Sequence, residues 1–351
     1  MSIRVFYPIH IDRWTNPIAT LAREVATRAH GIDFYTFSGP TSEEDIMLNA
    51  RFWANPHIHR LTIPGIFAAA RRCDILHQFY MTDTSRAISF FVRRWQPRCI
   101  HVFTANLQPY PRSNKLERYA RAVYSADIVV AVSEAVANSI SQMFNRPVDA
   151  IIPNGVDTSF FTPQASANAD ISSGTLKAYV LYCASLEKRK RPDIFLKLAE
   201  QMPELDFIMI GRSTNESSRY LHAISQIKNV RYLGLCHRSE VRDLMAGALA
   251  LVFPSEWEGL PLTVLEASAM GIPVLAQPKS SLPEVVVEDI TGWLIPDTEL
   301  AAWQERIKEI LGWSIERRQR FAKTARQFVS QRYSWDSVAE QYQELYYRLI
   351  S

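Results

Sequence analysis

Short apolar runs alternate with stretches of helical periodicity along the whole chain, and this alternation narrows the possible folds more than any other feature. The runs are IRVFY at 3–7, IDFYTF at 32–37, DILHQF at 74–79, CIHVFT at 99–104, DIVVAV at 127–132 and VDAII at 148–152. After a break come YVLYC at 179–183, DFIMI at 206–210, VRYLG at 230–234, LALVF at 249–253, PVLA at 273–276 and GWLI at 292–295. Continuous apolar runs of this length read as strands buried on both faces, which is the condition of a parallel sheet. Strands alternating with helices predict doubly wound α/β sheets. The break is QASANADISSGT at 164–175, a polar stretch that reads as a linker. A chain of 351 residues is long for one hydrophobic core. Two α/β domains are therefore expected, over residues 1–163 and 176–334, followed by an amphipathic tail helix at 335–351 that buries Val338, Tyr342 and Leu345.

Composition removes several other classes. No apolar run approaches the roughly 18 to 20 residues of a membrane span, and the start MSIRVFYPIHIDRW reads as a first strand and not as a signal peptide. Cys73, Cys99, Cys183 and Cys236 lack metal-ligand spacing and read as reduced thiols, which gives a cytoplasmic expectation. A net charge of +3 is too small to argue for nucleic acid. Residues 1–160 hold 17 Lys/Arg against 13 Asp/Glu, so the first half is the basic one.

The chemistry concentrates in VFPSEWEGLPLTVLEASAMGIPVL, at 252–275. A strand ends in a Pro/Ser/Glu/Gly loop, the loop opens a helix, Gly271 ends it and Pro273 leads into the next strand. This step places Glu258 in the loop and Glu266 in the early helix, both expected at the carboxyl end of a strand, where open α/β sheets bind ligands. Helix-opening amides suit a diphosphate, and a carboxylate beside them accepts hydrogen bonds from ribose hydroxyls. Thr263 and Glu266 also spell a Thr-x-x-Glu capping box, which would leave Glu266 a purely local role. A second cluster, Lys188, Arg189, Lys190 and Arg191, follows the first strand of the second domain and precedes a helix opening at Pro192.

EGLP, LEA and GIPV in this order resemble the Glu-x7-Glu signature of GT-B-fold retaining glycosyltransferases of family 4, with Glu258 and Glu266 as the two glutamates. The resemblance covers nearly the whole chain. It implies two Rossmann-like domains facing across a cleft, an acceptor-binding one first and a nucleotide-sugar donor-binding one second. Ser334, Trp335, Val338, Tyr342 and Tyr346 match a terminal helix that returns to the first domain. The implied activity is retaining, metal-independent transfer of a hexose-type unit from a nucleotide-diphospho-sugar to a glycan, lipid-linked or small-molecule acceptor. Lys190 would stabilise the diphosphate, Glu258 orient the sugar and Glu266 hold the ribose, with amides at Leu262 and Thr263 assisting. Ser185 stands where relatives carry an Arg, so Arg189 or Arg212 is expected to compensate. Ser280 and Ser281 replace a Gly-Gly pair whose amides face the donor, and Glu284 reads as a first-turn helix residue. PNGVD at 153–157 resembles the family's hinge phrase and reads as a structural turn.

The first domain departs further. YPIHIDRWTNP replaces a glycine-rich loop, leaving Asn16 to offer helix-start amides and His10 or Asp12 to meet acceptor. Asn106 stands where relatives place a His near the donor sugar, and His101 reads as a core histidine. Without Asp-x-Asp or a Cys/His ligand set, no metal and no cofactor besides the donor is expected. In SRAISFFVRRWQPR, Ile88, Phe91, Val92 and Trp95 share helical spacing with arginines around them. That pattern fits a sheet-covering helix or a basic helix lying peripherally on the inner face of a membrane. A nucleotide-sugar 2-epimerase and a non-catalytic nucleotide-sugar-binding subunit share the architecture, and the two-glutamate phrase favours the transferase. A dinucleotide dehydrogenase lacks support, because no Gly-x-Gly-x-x-Gly follows a strand.

Overall fold

The apolar runs become the strands of two parallel sheets in a computed structural model that describes residues 2–10, 17–37, 55–61, 63–79, 82–109, 116–163 and 178–351. The first sheet holds β1 (Ile3–His10), β2 (Ile32–Phe37), β3 (Ile58–Leu61), β4 (Ile75–Gln78), β5 (Ile100–Ala105), β6 (Ile128–Ala131) and β7 (Ala150–Ile151). Their order is β3-β2-β1-β4-β5-β6-β7. The second holds β8 (Tyr179–Cys183), β9 (Asp206–Ile210), β10 (Val230–Tyr232), β11 (Ala248–Phe253), β12 (Val274–Ala276) and β13 (Gly292–Leu294), ordered β10-β9-β8-β11-β12-β13. Every pairing is parallel. In each sheet the winding reverses beside the first strand, between β1 and β4 and between β8 and β11, and those reversals open ligand crevices at the strands' carboxyl ends. One strand falls outside the predicted runs: β3, IHRL, sets two adjacent polar residues between two apolar ones and, among the described residues, pairs with β2 at the sheet's edge.

The chain divides into two units, Met1–Gly155 with Trp335–Ser351, and Val156–Ser334. Residues 156–163 thus pack with the second unit and not with the first. Arg326 holds them there, donating to the carbonyls of Phe161 at 2.7 Å and Thr158 at 2.6 Å, while the Val156 amide donates to Tyr333 O at 2.7 Å. The polar stretch read as a linker, at 164–175, lies outside the described residues.

Helix Trp335–Ile350 belongs to the first unit, as expected, and buries Trp335, Val338, Ala339, Tyr342, Leu345 and Tyr346. Its spacing makes one apolar stripe, but the contact is also polar. Tyr346 Oη lies 2.8 Å from Tyr7 Oη on β1 and 2.6 Å from His77 Nδ1 on β4. His77 Nε2 lies 2.7 Å from Thr104 Oγ1 on β5, which in turn reaches Tyr342 Oη at 3.2 Å. The turn that precedes residue 156 fits the same helix: a Cβ on Gly155 would stand 2.5 Å from the Trp335 ring.

Helix Asp83–Trp95 covers the first sheet. It buries Ser85, Ile88, Ser89 and Val92, so Ile88 and Val92 are core residues while Phe90 and Phe91 face outward. Among the described residues no helix is long and apolar enough to cross a membrane.

Candidate active site

The second sheet's reversal point brings the two predicted clusters together. β8 and β11 are adjacent, with Leu181 in register with Leu251, so the basic turn after β8 meets the acidic loop after β11. The loops are tied by backbone: the Glu256 amide donates to Arg189 O at 2.8 Å. The crevice floor is tight at Gly211, after β9, where φ is +140° and a Cβ would stand 1.9 Å from Ala184 O. Only glycine accommodates both that conformation and that approach.

Lys190 ends a short 3-10 turn, and its Nζ pairs with Glu258 Oε1. Both side chains are nearly buried, and Lys190 also lies 5.2 Å from the centroid of the Phe253 ring. Burial draws the ammonium below the ordinary lysine pKa, against the pull of Glu258. Ser255 Oγ donates to the same Glu258 oxygen at 2.5 Å. The Glu258 backbone is held by Ser280, whose Oγ accepts from the Glu258 amide at 2.9 Å and donates to its carbonyl at 2.8 Å. Ser280 sits at φ +59°, in the left-handed region. Its hydroxyl thus occupies a place where the resembled family has a glycine, and clamps the loop that carries the first glutamate.

Glu266 lies in helix Leu262–Ala269, and the capping-box alternative fails there. The helix opens on Pro261 with no side-chain cap, so Thr263 sits inside the first turn and Glu266 one turn further. No donor lies within hydrogen-bonding distance of the Glu266 carboxylate among the described residues, which surround it closely while leaving part of its surface open. Burial pushes this carboxyl up to about 7, with Arg238 opposing. Leu262 and Thr263 are half-buried at the helix opening.

The remaining predicted residues divide sharply. Arg189 is committed, through Nε to Glu187 Oε2 at 2.9 Å and through Nη1 to Trp257 O at 3.0 Å, and the same Nη1 lies 3.9 Å from Glu258 Oε2. Ser185 Oγ donates to Glu187 Oε1 at 2.9 Å. Arg212 is exposed, with no ion pair among the described residues. Ser281 is fully buried, its Oγ without a hydrogen-bond partner, and its side chain is closed to any ligand in this conformation. Glu284 lies in the first turn of helix Leu282–Val285, as read. Arg191 is an organiser: it sits at φ +49° and pairs with Asp193, Glu256 and Asp297. A groove of about 590 Å³ flanks this turn, lined in part by Lys188, Arg191, Arg219, Tyr220 and Glu256. It contains neither glutamate of the signature, and its charges are of mixed sign, so it is a different place from the Lys190 site.

In the first unit, Asn106 turns its amide to the carbonyls of Thr104 at 3.0 Å and Phe79 at 3.4 Å. Asp12, Asn16 and the His10 side chain lie outside the described residues. His101 is buried, as read, but its Nε2 has no hydrogen-bond partner, and burial draws it down to about 4. Sequence reasoning missed Ser255 and the side-chain role of Ser280, small polar residues whose importance comes from what they touch. Among the described residues no group of His, Cys, Asp and Glu is arranged to hold a metal ion.

Two units with this strand order, one carrying a Lys–Glu pair and a free glutamate at its reversal point, have the architecture of a GT-B glycosyltransferase. The family model of glycosyl transferases group 1 matches residues 167–328, and that of glycosyltransferase family 4 matches residues 17–160. The chain belongs to this family, the family 4 glycosyltransferases. It is 27% identical to the D-inositol 3-phosphate glycosyltransferase of Xylanimonas cellulosilytica over 64% of this chain and 58% of that protein. Against the protein of the same name from Corynebacterium diphtheriae it is 24% identical, over 94% of this chain and 88% of the other. The chain spans little more than half the length of several such relatives. Among solved structures, Anabaena HepE with UDP and glucose superposes with a TM-score of 0.78 at 17% identity, covering 99% of this chain and 100% of that one. Sucrose-phosphate synthase from Thermosynechococcus elongatus gives 0.76 at 19%, covering 99% of each. These likenesses show the fold.

Proposed function

We propose that this protein transfers a sugar from a nucleotide-diphospho-sugar to a hydroxyl acceptor, with retention at the anomeric carbon and without a metal. The observation that carries this reading is the unpaired, half-buried Glu266 beside a helix opening, one loop away from the Lys190–Glu258 pair. A carboxylate with no protein partner in that position is available to two ribose hydroxyls, and the first amides of its helix to a phosphate. In the reaction the glycosidic C–O bond to the diphosphate breaks, the acceptor oxygen bonds the same face of the sugar, and its proton passes to the leaving phosphate.

Charge accumulates on that leaving group, and Lys190 is the buried cation nearest the turn after β8. Arg212, free of ion pairs among the described residues, is more available than Arg189 to supply the charge that Ser185 does not. Donors of the UDP class are supported by HepE, solved with UDP and glucose. The relatives named for transfer to inositol 3-phosphate support a small phosphorylated polyol among the candidate acceptors.

The test is single-turnover transfer at saturating donor for Lys190→Ala and Lys188→Ala, each first checked for folding. Loss of one cation that acts as charge develops commonly costs about 3 to 4 kcal/mol of barrier, on the order of a hundredfold or more in rate. Lys188→Ala leaves the rate near that of the parent, and EDTA leaves turnover intact. Equal rates for the two variants would reject the role of Lys190, and loss on chelation restored by Mn²⁺ would reject metal independence.

A further inference from the structure

We infer that the outer face of helices Ile63–Ala70 and Asp83–Trp95, in the first unit, is a docking surface for an anionic lipid bilayer. Helix Asp83–Trp95 spends Ile88 and Val92 on the sheet, and yet its opposite side is aromatic: Phe90 is 67% exposed and Phe91 38%. Phe67, on the neighbouring helix, is 44% exposed and meets Phe91 and Trp95 with ring centroids 6.3 and 5.8 Å apart. Four large aromatic side chains therefore form one patch across two helices. Scattered exposed apolar residues need no explanation, but a contiguous aromatic patch on a helical surface does.

Charge identifies the occupant. Arg71 and Arg72 follow the first helix, and Arg94 and Arg98 bracket Trp95. Arg72, Arg94 and Arg98 make no ion pair among the described residues. The acidic residues at the neighbouring strand starts are spoken for, Asp74 by Arg4 and Asp127 by Arg93. A second copy of the chain, docked symmetrically, would oppose arginines to arginines. Stacked bases are disfavoured because the aromatic faces are taken: Phe91 stacks on Trp95 at 5.0 Å, and the Arg71 guanidinium covers the Trp95 ring at 4.7 Å. Aromatic side chains ringed by arginines suit an interface of acyl chains and anionic headgroups.

The experiment is co-sedimentation of the full chain with phosphatidylcholine vesicles, with and without a third of phosphatidylglycerol. Binding is expected only with the anionic lipid, and it weakens with salt. Arg94→Glu and Phe90→Ser each reduce it, the arginine change on the order of fivefold or more, while leaving nucleotide-diphosphate binding unchanged. Phe90 and Arg94 are both exposed and neither is placed in the donor site, so the parent's thermal unfolding profile serves as the folding control. No vesicle binding, equal binding to neutral vesicles, or variants that bind like the parent would overturn the proposal. So would concentration-dependent self-association that Phe90→Ser abolishes, or displacement from vesicles by a single-stranded oligonucleotide.

Discussion

The role proposed for Glu266 rests on a carboxyl with no hydrogen-bond donor among the described residues and on its raised pKa. A diol ligand stabilises the ionised carboxylate, while the empty site holds a carboxyl that burial pushes up to about 7. Nucleotide affinity should therefore rise as pH increases from about 6 to 8, because below the carboxyl's pKa binding must first displace a proton. Titration calorimetry of Glu266→Gln should show weaker binding and a flatter pH profile, with the residual slope belonging to the nucleotide's own phosphate. The same shift acts on stability in the opposite sense to the usual carboxylate. A folded-state pKa above the ordinary 4.5 means that the empty protein is favoured at low pH and loses that contribution as pH rises through about 7. Ser280 is the second residue with a consequence at this scale. Ser280→Gly relieves a left-handed conformation, worth about 1 kcal/mol, and removes two hydrogen bonds to the Glu258 backbone. Little change in melting temperature together with slower transfer is expected; unchanged kinetics would show that the clamp does not position Glu258. Glu258 and Glu266 were picked out through the resemblance of one continuous phrase, whereas the clamp left no such trace, since it joins residues 22 apart in sequence through a loop conformation.

At the scale of elements, helix Trp335–Ile350 is held by more than its apolar stripe. Tyr346→Phe keeps the ring and removes one hydroxyl, leaving Tyr7 and His77 each short of a buried partner at about 1 to 3 kcal/mol. Chemical denaturation should register that loss without a change in denaturant slope. His77 adds a pH dependence. Burial draws it from 6.5 to about 3, so the folded state keeps it neutral and its contribution is complete above about pH 6.5. The contribution is lost as pH falls toward 3, at about 1.4 kcal/mol per pH unit of separation. Replacing His77 by glutamine should flatten the acid limb of the stability profile. The helix's apolar face was legible from period alone, and its destination from resemblance. The tyrosine–histidine network was not, because Tyr346 lies 339 residues from Tyr7 and 269 from His77 and none has a local pattern.

At the scale of the molecule, the Lys190, Glu258 and Glu266 set lies wholly within residues 156–334. Expressed alone, that segment should fold and bind a nucleotide diphosphate, detectable as a rise in melting temperature. Residues 1–155 alone should fail to fold stably, since they lack the helix whose Tyr342, Leu345 and Tyr346 are buried in their core. Adding 335–351 as a separate peptide should recover part of the lost structure, measured by circular dichroism. Periodicity within a few tens of residues was enough to read the parallel sheets, the division into two α/β units and the loops after their strands, while the two signature glutamates were read from the resemblance of their phrase. Twelve strand runs were read, and among the described strands only β3, at the sheet's edge, was missed. Only the folded arrangement settled that Lys190 and Arg189 both reach Glu258, that Arg191 organises three carboxylates, and that the helix carrying Glu266 is not capped by Thr263. The same holds for the boundary at Gly155 and for the aromatic face left outward on helix Asp83–Trp95. Those outcomes follow from which surfaces meet and which charges lose water, and a side chain's partners across a sheet leave no periodicity in the chain to read.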